Sequence, residues 1–171
     1  IYALVGLAGQ YCTSEDAAHL LSRYSKRLVQ RVPQAEREIW DLTEIPYNLS
    51  GSIARFLYAL MGDIDIRVRW RAAHTLRRLV RLGNINILQE IINLYPRVLE
   101  SSYRNPDAPF YWLSARLWLI MTLDRIAAET PEIIKGYGTW LLEVAIDETF
   151  PHVLIRTFAK SAISKLIDSG S

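Results

Sequence analysis

The 171-residue sequence contains a single cysteine, Cys12, and three histidines that lie far apart in the chain. One cysteine excludes a disulfide framework and an all-cysteine zinc site, and the scattered histidines argue against a histidine-rich metal centre. Glycine is scarce, at eight residues, which excludes collagen-like and glycine-rich β architectures. Sequence motifs for phosphate-cradling loops, zinc proteases and serine hydrolases are absent. We therefore expect no enzyme activity, no cofactor and no metal site.

Charge and hydropathy narrow the class of protein further. The 20 lysines and arginines nearly balance the 18 acidic residues, so the whole chain lacks the charge of a general nucleic-acid binder. The longest apolar stretch, 108–123, contains Arg116 and is too short to predict a membrane span. The lone thiol and the lack of a targeting signal predict a cytoplasmic protein. The start at Ile1 suggests a piece of a longer protein.

Apolar residues recur at helical spacing almost throughout the chain, and no run alternates as a half-buried strand would. Capping residues, prolines and glycines predict where these helices begin and end. The predicted helices span about 1–10, 14–31, 50–62, 65–83, 85–95, 108–129, a segment from 130, and 151–168. The aromatic residues Phe110, Tyr111, Trp112 and Trp118 are interpreted as the packed surface of a central helix, because their helix has little polar face. The sequence thus predicts an all-α fold.

The helices carry an internal repeat. Ala72 recurs 43 residues later as Ala115 and, after a further 44 residues, as Ala159. A branched apolar residue follows each alanine by four positions, as Leu76, Leu119 and Ile163. An earlier copy at 17–21 is displaced by 55 residues, which places an insertion at about 32–49. A period near 43 residues with two helices per unit is typical of HEAT and armadillo arrays.

The segment Asp63-Ile64-Asp65-Ile66-Arg67-Val68-Arg69, followed by Ala72 and Leu76, resembles the turn and second helix of a HEAT repeat. The resemblance implies one domain, 1–171, folded as a right-handed α-α superhelix of about four HEAT-like helix pairs. Its units would span 1–31, 50–82, 84–129 and 131–169. The resemblance also implies that Arg69 and Arg156 each bond an acid or a carbonyl in the turn between helices. Asp63 or Asp65 would be the partner of Arg69.

One face of the predicted helix 65–82 is strongly basic. At 100° per residue, an arc of about 80° holds five residues that we call the basic stripe: Arg67, Arg71, His74, Arg78 and Arg81. Trp70 and Arg77 flank the basic stripe, and Arg23 and Arg27 occupy a similar place in the first long helix. Guanidinium groups would bind phosphates or the carboxylates of an acidic partner. The other interpretation is a solvated helix face whose arginines are paired with acids of the insertion, such as Glu36, Glu38, Asp41 and Glu44.

Two functions are compatible with these features. The first is a non-catalytic interaction or scaffold module, which binds a partner protein or other domains of its own chain. The segments 68–74 and 150–156 also resemble helical regions of large prokaryotic multidomain proteins, including nucleotide-dependent defence sensors. The alternative is a nucleic-acid-binding domain similar to HEAT-like DNA glycosylases, with the basic stripe on a duplex. Neither function predicts a membrane partner or a small-molecule substrate.

Overall fold

The computed structural model describes residues 13, 15, 16, 19, 23, 48–96 and 109–170. The chain divides into two compact units, 1–40 and 41–171. Within the described ranges every regular element is helical, which confirms the all-α prediction for that part of the chain. The predicted helix 1–10 and almost all of the insertion at 32–49 lie outside the described residues. The prediction of a single repeat domain over 1–171 stays a prediction.

In the first unit, the described residues show the start of a helix. Its cap is Thr13, one residue before the predicted helix start at 14. The Thr13 hydroxyl accepts a hydrogen bond from the backbone N–H of Asp16 at 3.2 Å, and the Asp16 carboxylate accepts one from the Thr13 backbone at 3.1 Å. This reciprocal pair satisfies two donors that a helix start leaves open. The Thr13 hydroxyl also donates to the Asp16 carboxylate at 2.6 Å, and this hydrogen bond holds the pKa of Asp16 below its usual value.

The described part of the second unit consists of helices, with the short turns 62–65, 82–84 and 147–152 between some of them. Their bounds are α1 Leu49–Met61, α2 Ile66–Arg81, α3 Ile85–Asn93, α4 Pro109–Glu129, α5 Pro131–Ile134, α6 Gly138–Ile146 and α7 Val153–Asp168. A 3₁₀ turn, Lys135–Tyr137, separates α5 from α6. The predicted helix boundaries agree with α1 to α4 and with α7 to within about two residues, the usual precision of helix ends. The segment from residue 130 is divided in two, because the glycines at 136 and 138 favour a break.

Side-chain caps explain where three of these helices begin. Asn48, Asp65 and His152 each accept a hydrogen bond from a backbone N–H in the first turn of α1, α2 and α7 respectively. Such caps satisfy donors that have no partner inside the helix. At the other end of α2, Gly83 adopts a φ of 84°, a left-handed conformation that costs glycine little. The turns are therefore encoded locally.

The long helix α4 lies at the centre of the second unit. It packs against α1, α2, α5 and α7, while α1 also packs against α2 and α3, and α6 packs against α7. Side chains all around α4 are buried: Ser114, Ala115, Arg116, Leu119, Ile120, Thr122, Leu123, Asp124, Ile126 and Ala127. This burial confirms the interpretation of 108–129 as a central packed helix. Of the aromatic residues on this helix, Tyr111, Trp112 and Trp118 are half-buried, whereas Phe110 has 48% of its surface exposed.

The repeated alanines lie in the core of the second unit. Ala72, Ala115 and Ala159 are each at most 3% exposed, and Leu76 and Leu119 are fully buried. Their helices, α2, α4 and α7, pack side by side in chain order. Small residues at buried positions allow close approach of neighbouring helices.

A close backbone contact joins the end of α1 to the start of α4. A Cβ atom added at Gly62 would lie 2.5 Å from the carbonyl oxygen of Tyr111. That distance is far below van der Waals contact, and the obstacle is backbone, which cannot rotate away as a side chain can. Glycine is therefore required where α1 meets α4.

We expect Gly62→Ala to lower the free energy of unfolding by about 1–3 kcal/mol, because α1 and α4 must separate to admit the methyl group. Chemical denaturation followed by circular dichroism measures this loss. Gly136→Ala is the matched control, since a Cβ there meets nothing within 4 Å. Equal stability of Gly62→Ala and the wild type would contradict the contact between Gly62 and Tyr111.

Candidate functional site

The basic stripe begins at the first turn of α2 with an ion pair. Arg67 donates from Nη2 to Asp65 Oδ2 at 2.7 Å and from Nε to both carboxylate oxygens at 3.1 Å. The Arg67 side chain is 80% exposed. Hydrogen bonds from Arg67 lower the pKa of Asp65 to about 2. This end of the basic stripe is therefore partly neutralised by its own cap.

The rest of the basic stripe carries more available charge. Arg71, Arg78 and Arg81 are exposed. The side chains of Arg78 and Arg81 make no hydrogen bond or ion pair with any other described residue. The His74 ring is half-buried and packs against Trp70, with ring centroids 3.9 Å apart. The structure thus gathers the basic stripe and Trp70 on one side of α2. Arg23 is exposed but belongs to the first unit, and Arg27 lies outside the described residues.

A shallow groove runs beside the basic stripe, between α2 and α4. We call it the α2–α4 groove, and its lining residues are Trp70, Ala73, His74, Arg77, Trp118, Met121, Thr122 and Arg125. Its enclosed volume is about 10 Å³, the space of about one water molecule. Small-molecule sites enclose hundreds of cubic ångströms, so the α2–α4 groove has the shape of a contact surface instead.

Two polar contacts fix α2 and α4 side by side. Arg69 Nη1 donates to Ser114 Oγ at 3.3 Å, and Arg77 Nε donates to Glu129 Oε2 at 2.7 Å. Since the first contact lies near both helix starts and the second near both ends, the helices run in the same direction. The Arg77–Glu129 ion pair therefore closes the C-terminal end of the α2–α4 groove.

The α2–α4 groove is electropositive where His74 lies. Burial lowers the pKa of His74 below its usual value, and the nearby cations Arg77 and Arg125 lower it further. Glu129 acts in the opposite direction. Because the two guanidinium groups outweigh the one carboxylate, the imidazole senses a net positive surrounding. An anion entering the α2–α4 groove would meet the same field.

Arg69, for which a structural role is predicted, bonds a different partner from the two acids expected. Arg69 bonds Ser114 rather than Asp63 or Asp65, and its guanidinium lies 5.6 Å from the Phe110 ring and 5.8 Å from that of Trp118. Arg69 lies two positions beyond Arg67, on the side of α2 that faces α4. Asp63 instead accepts a hydrogen bond from the backbone N–H of Asp65 at 2.8 Å.

Two other arginines hold helix ends. Arg156 Nε donates to the carbonyl of Ala145 in the last turn of α6 at 3.0 Å, a carbonyl bond of the kind expected for this residue. Arg116 Nε donates in the same way to the carbonyl of Tyr95, just beyond α3, at 2.9 Å. Helix C-terminal carbonyls lack intrahelical partners and carry partial negative charge, so both contacts are favourable.

Sequence reasoning missed the contribution of α4 to the site. Trp118, Met121 and Arg125 line the α2–α4 groove, and none of the three was expected to bind a partner. The signal was present, since Arg125 follows Trp118 by seven positions and Met121 by four, which places all three on one side of a helix. What the sequence did not reveal is that this side adjoins α2.

Comparisons with protein-family models, with curated proteins and with solved structures found no match. Among the described residues, no group of three or more histidine, cysteine or acidic side chains could hold a metal ion. None of the helices in that part of the chain is long and apolar enough to cross a membrane. The candidate site is therefore interpreted from its own geometry.

The electropositive surrounding of His74 makes a testable prediction. Its pKa, measured by NMR titration of the imidazole resonances, should lie below 6.5. Arg125→Gln should raise it by removing a nearby cation, whereas Glu129→Gln should lower it by removing a carboxylate. Lys160→Gln, an exposed change on α7, serves as the control. A His74 pKa that does not respond to either change would contradict the geometry of the α2–α4 groove.

Proposed function

We propose that this chain is a non-catalytic protein-interaction module of HEAT-like helical repeats, and that the basic stripe of α2 binds an acidic partner. The observation that carries the proposal is the sharp division of α2 into two faces. Ala72, Leu76 and Val80 are buried, whereas Arg71, Arg78 and Arg81 are exposed. Cations concentrated on one exposed face attract carboxylates and set the orientation of a partner.

The packing order supports HEAT-like repeats. The long helices α2, α4 and α7 each follow a shorter one, and the pairs α1 with α2 and α6 with α7 pack together. The first helices α1 and α3 pack together, and the second helices pack in the order α2, α4, α7. Contacts between neighbouring units of this kind build a right-handed superhelix whose second helices share one surface. The basic stripe and the α2–α4 groove would both lie on that surface.

The proposed partner is another protein or another domain of the same chain. In this proposal the repeats belong to a larger cytoplasmic protein, such as the sensor of a prokaryotic multidomain system. The module holds the partner by electrostatic and apolar contacts and requires no cofactor, metal or chemical step. A scaffold of this kind uses rigid helices to present side chains in fixed positions.

The second candidate function is nucleic-acid binding, which the cations of the basic stripe beside Trp70 favour. Trp70 is 49% exposed, and an exposed indole can stack on a base. Glu129 is unfavourable for this function because its carboxylate, next to Arg77, would repel a phosphate chain that follows the α2–α4 groove. The two functions differ in salt dependence, since phosphate contacts make affinity fall steeply with salt.

Charge reversal tests the proposed function. We expect Arg78→Glu with Arg81→Glu to weaken binding of a fluorescein-labelled poly-glutamate peptide at least about tenfold, because close like charges repel. Fluorescence anisotropy measures the affinity, with circular dichroism as the check of folding. A labelled DNA duplex of about 20 base pairs, titrated over a salt series, serves as the competing ligand.

The matched control is Lys135→Glu with Lys160→Glu, which changes the net charge equally at two exposed positions away from α2. Loss of peptide binding in the α2 variant alone supports the proposed function. Equal loss in both variants would show a general charge effect and contradict the basic stripe as a site. Tighter binding of the duplex than of the peptide would favour the nucleic-acid alternative.

A further inference from the structure

The floor of the α2–α4 groove is apolar. Ala73 is buried beneath it, while Met121 and the Trp118 ring are half-exposed along the α4 side. Thr122, the one hydroxyl in the lining, donates to the backbone carbonyl of Trp118 at 2.7 Å and so has its partner inside α4. A surface of this kind favours an aliphatic or aromatic group, because water bound there makes few hydrogen bonds.

Cations stand on both sides of this apolar floor. Arg125 is exposed on the α4 side, and Arg78 and Arg81 continue along α2 beyond His74. None of these three arginines forms an ion pair with another residue in the described part of the chain. Arg77, by contrast, is paired with Glu129. Arg78, Arg81 and Arg125 lie where carboxylates next to an apolar anchor would reach them.

The shape and charge of the α2–α4 groove favour a protein segment over nucleic acid. A nucleic-acid chain carries a phosphate at every step, so one that follows the groove must pass Glu129. A peptide places its carboxylates individually and can have an uncharged residue opposite Glu129. The flexible thioether of Met121 also adapts to anchors of different shape, as at other peptide-binding surfaces.

We propose that the α2–α4 groove binds an apolar side chain of an acidic peptide segment, with carboxylates on either side of that side chain held by Arg125 and by the basic stripe. This inference rests on the proposed function and deepens it. The basic stripe supplies attraction and orientation, while the groove supplies the anchor that distinguishes one acidic segment from another. Buried aromatic or aliphatic anchors commonly provide most of the energy of such interfaces.

Peptide selection tests this inference without a known partner. A display library of random peptides of about twelve residues is selected on the purified chain, and the enriched sequences are counted. We expect several acidic residues around one Trp, Phe, Leu or Ile. Selection on Met121→Gln should keep the acidic residues and lose the apolar preference. Selection on Arg78→Glu with Arg81→Glu should lose the acidic residues.

Affinity measurements with one enriched peptide give the size of the effect. Replacing its apolar residue by Ser should weaken binding at least about tenfold on the wild type and much less on Trp70→Ala or Met121→Gln. Leu142→Ala is the matched control, since Leu142 on α6 is as exposed as Trp70, at 49%. Trp70→Phe replaces Trp70→Ala if the latter fails to fold.

NMR should show an upward shift in the pKa of His74 when the acidic peptide binds, because carboxylates offset Arg77 and Arg125.

The outcomes separate the two proposals. Acidic peptides without apolar preference, and affinities insensitive to Trp70 and Met121, would overturn the groove as a docking site and leave the basic stripe as the binding surface. Enriched sequences without acidic residues would overturn both. A competition experiment compares single-stranded DNA with unlabelled peptide as displacing ligands. If the DNA displaces the peptide at the lower concentration, the proposed protein partner is overturned in favour of nucleic acid.

Discussion

Arg116 lies in the middle of α4 with only 8% of its surface exposed, and its guanidinium joins three segments of the second unit. It donates from Nε to the carbonyl of Tyr95 at 2.9 Å and from Nη2 to that of Pro96 at 3.3 Å. It also lies about 5 Å from the rings of Tyr95, Trp112 and Phe150. A buried cation is costly unless such partners surround it. Here they connect α4 to the end of α3 and to the turn before α7.

This connection matters because α3 packs mainly on α1 and α2. Because Arg116 connects the end of α3 to α4, these two helices hold a fixed arrangement, and α2 packs against both of them. Arg69 and Arg77 then hold α2 against α4 through Ser114 and Glu129. The same arrangement leaves Arg78, Arg81 and Arg125 pointing away from the core, beside the apolar floor of the α2–α4 groove. The proposed binding surface is thus a consequence of how α4 is buried.

The fold could be predicted from the sequence where the signals are local. Helical spacing, caps such as Asp65 and the glycine at 83 place α1 to α4 and α7 correctly. The segment after Thr130 was harder, because glycines at 136 and 138 weaken a helix without showing whether it breaks.

The candidate site could be predicted only in part. One helix reveals its own basic stripe, because a helical wheel places Arg71 beside Arg78. The groove depends on two helices separated by about 45 residues, and no local pattern shows that Trp118 and Arg125 adjoin Trp70 and Arg77. Arg69 illustrates the same limit. The resemblance to a HEAT repeat favoured Asp63 or Asp65 as its partner, but the rotation of the helix directs Arg69 to Ser114.

Hydrogen–deuterium exchange on Arg116→Met tests the central claim most directly. Methionine keeps an apolar side chain of similar length but removes the donors and the charge, so a cavity does not explain the result. We predict faster exchange in 87–95 and in 147–152 together, with the protection of α1 and α2 retained, because Arg116 joins those two segments to α4. Unchanged exchange in both segments, or equal loss of protection throughout the second unit, would contradict this account of the fold.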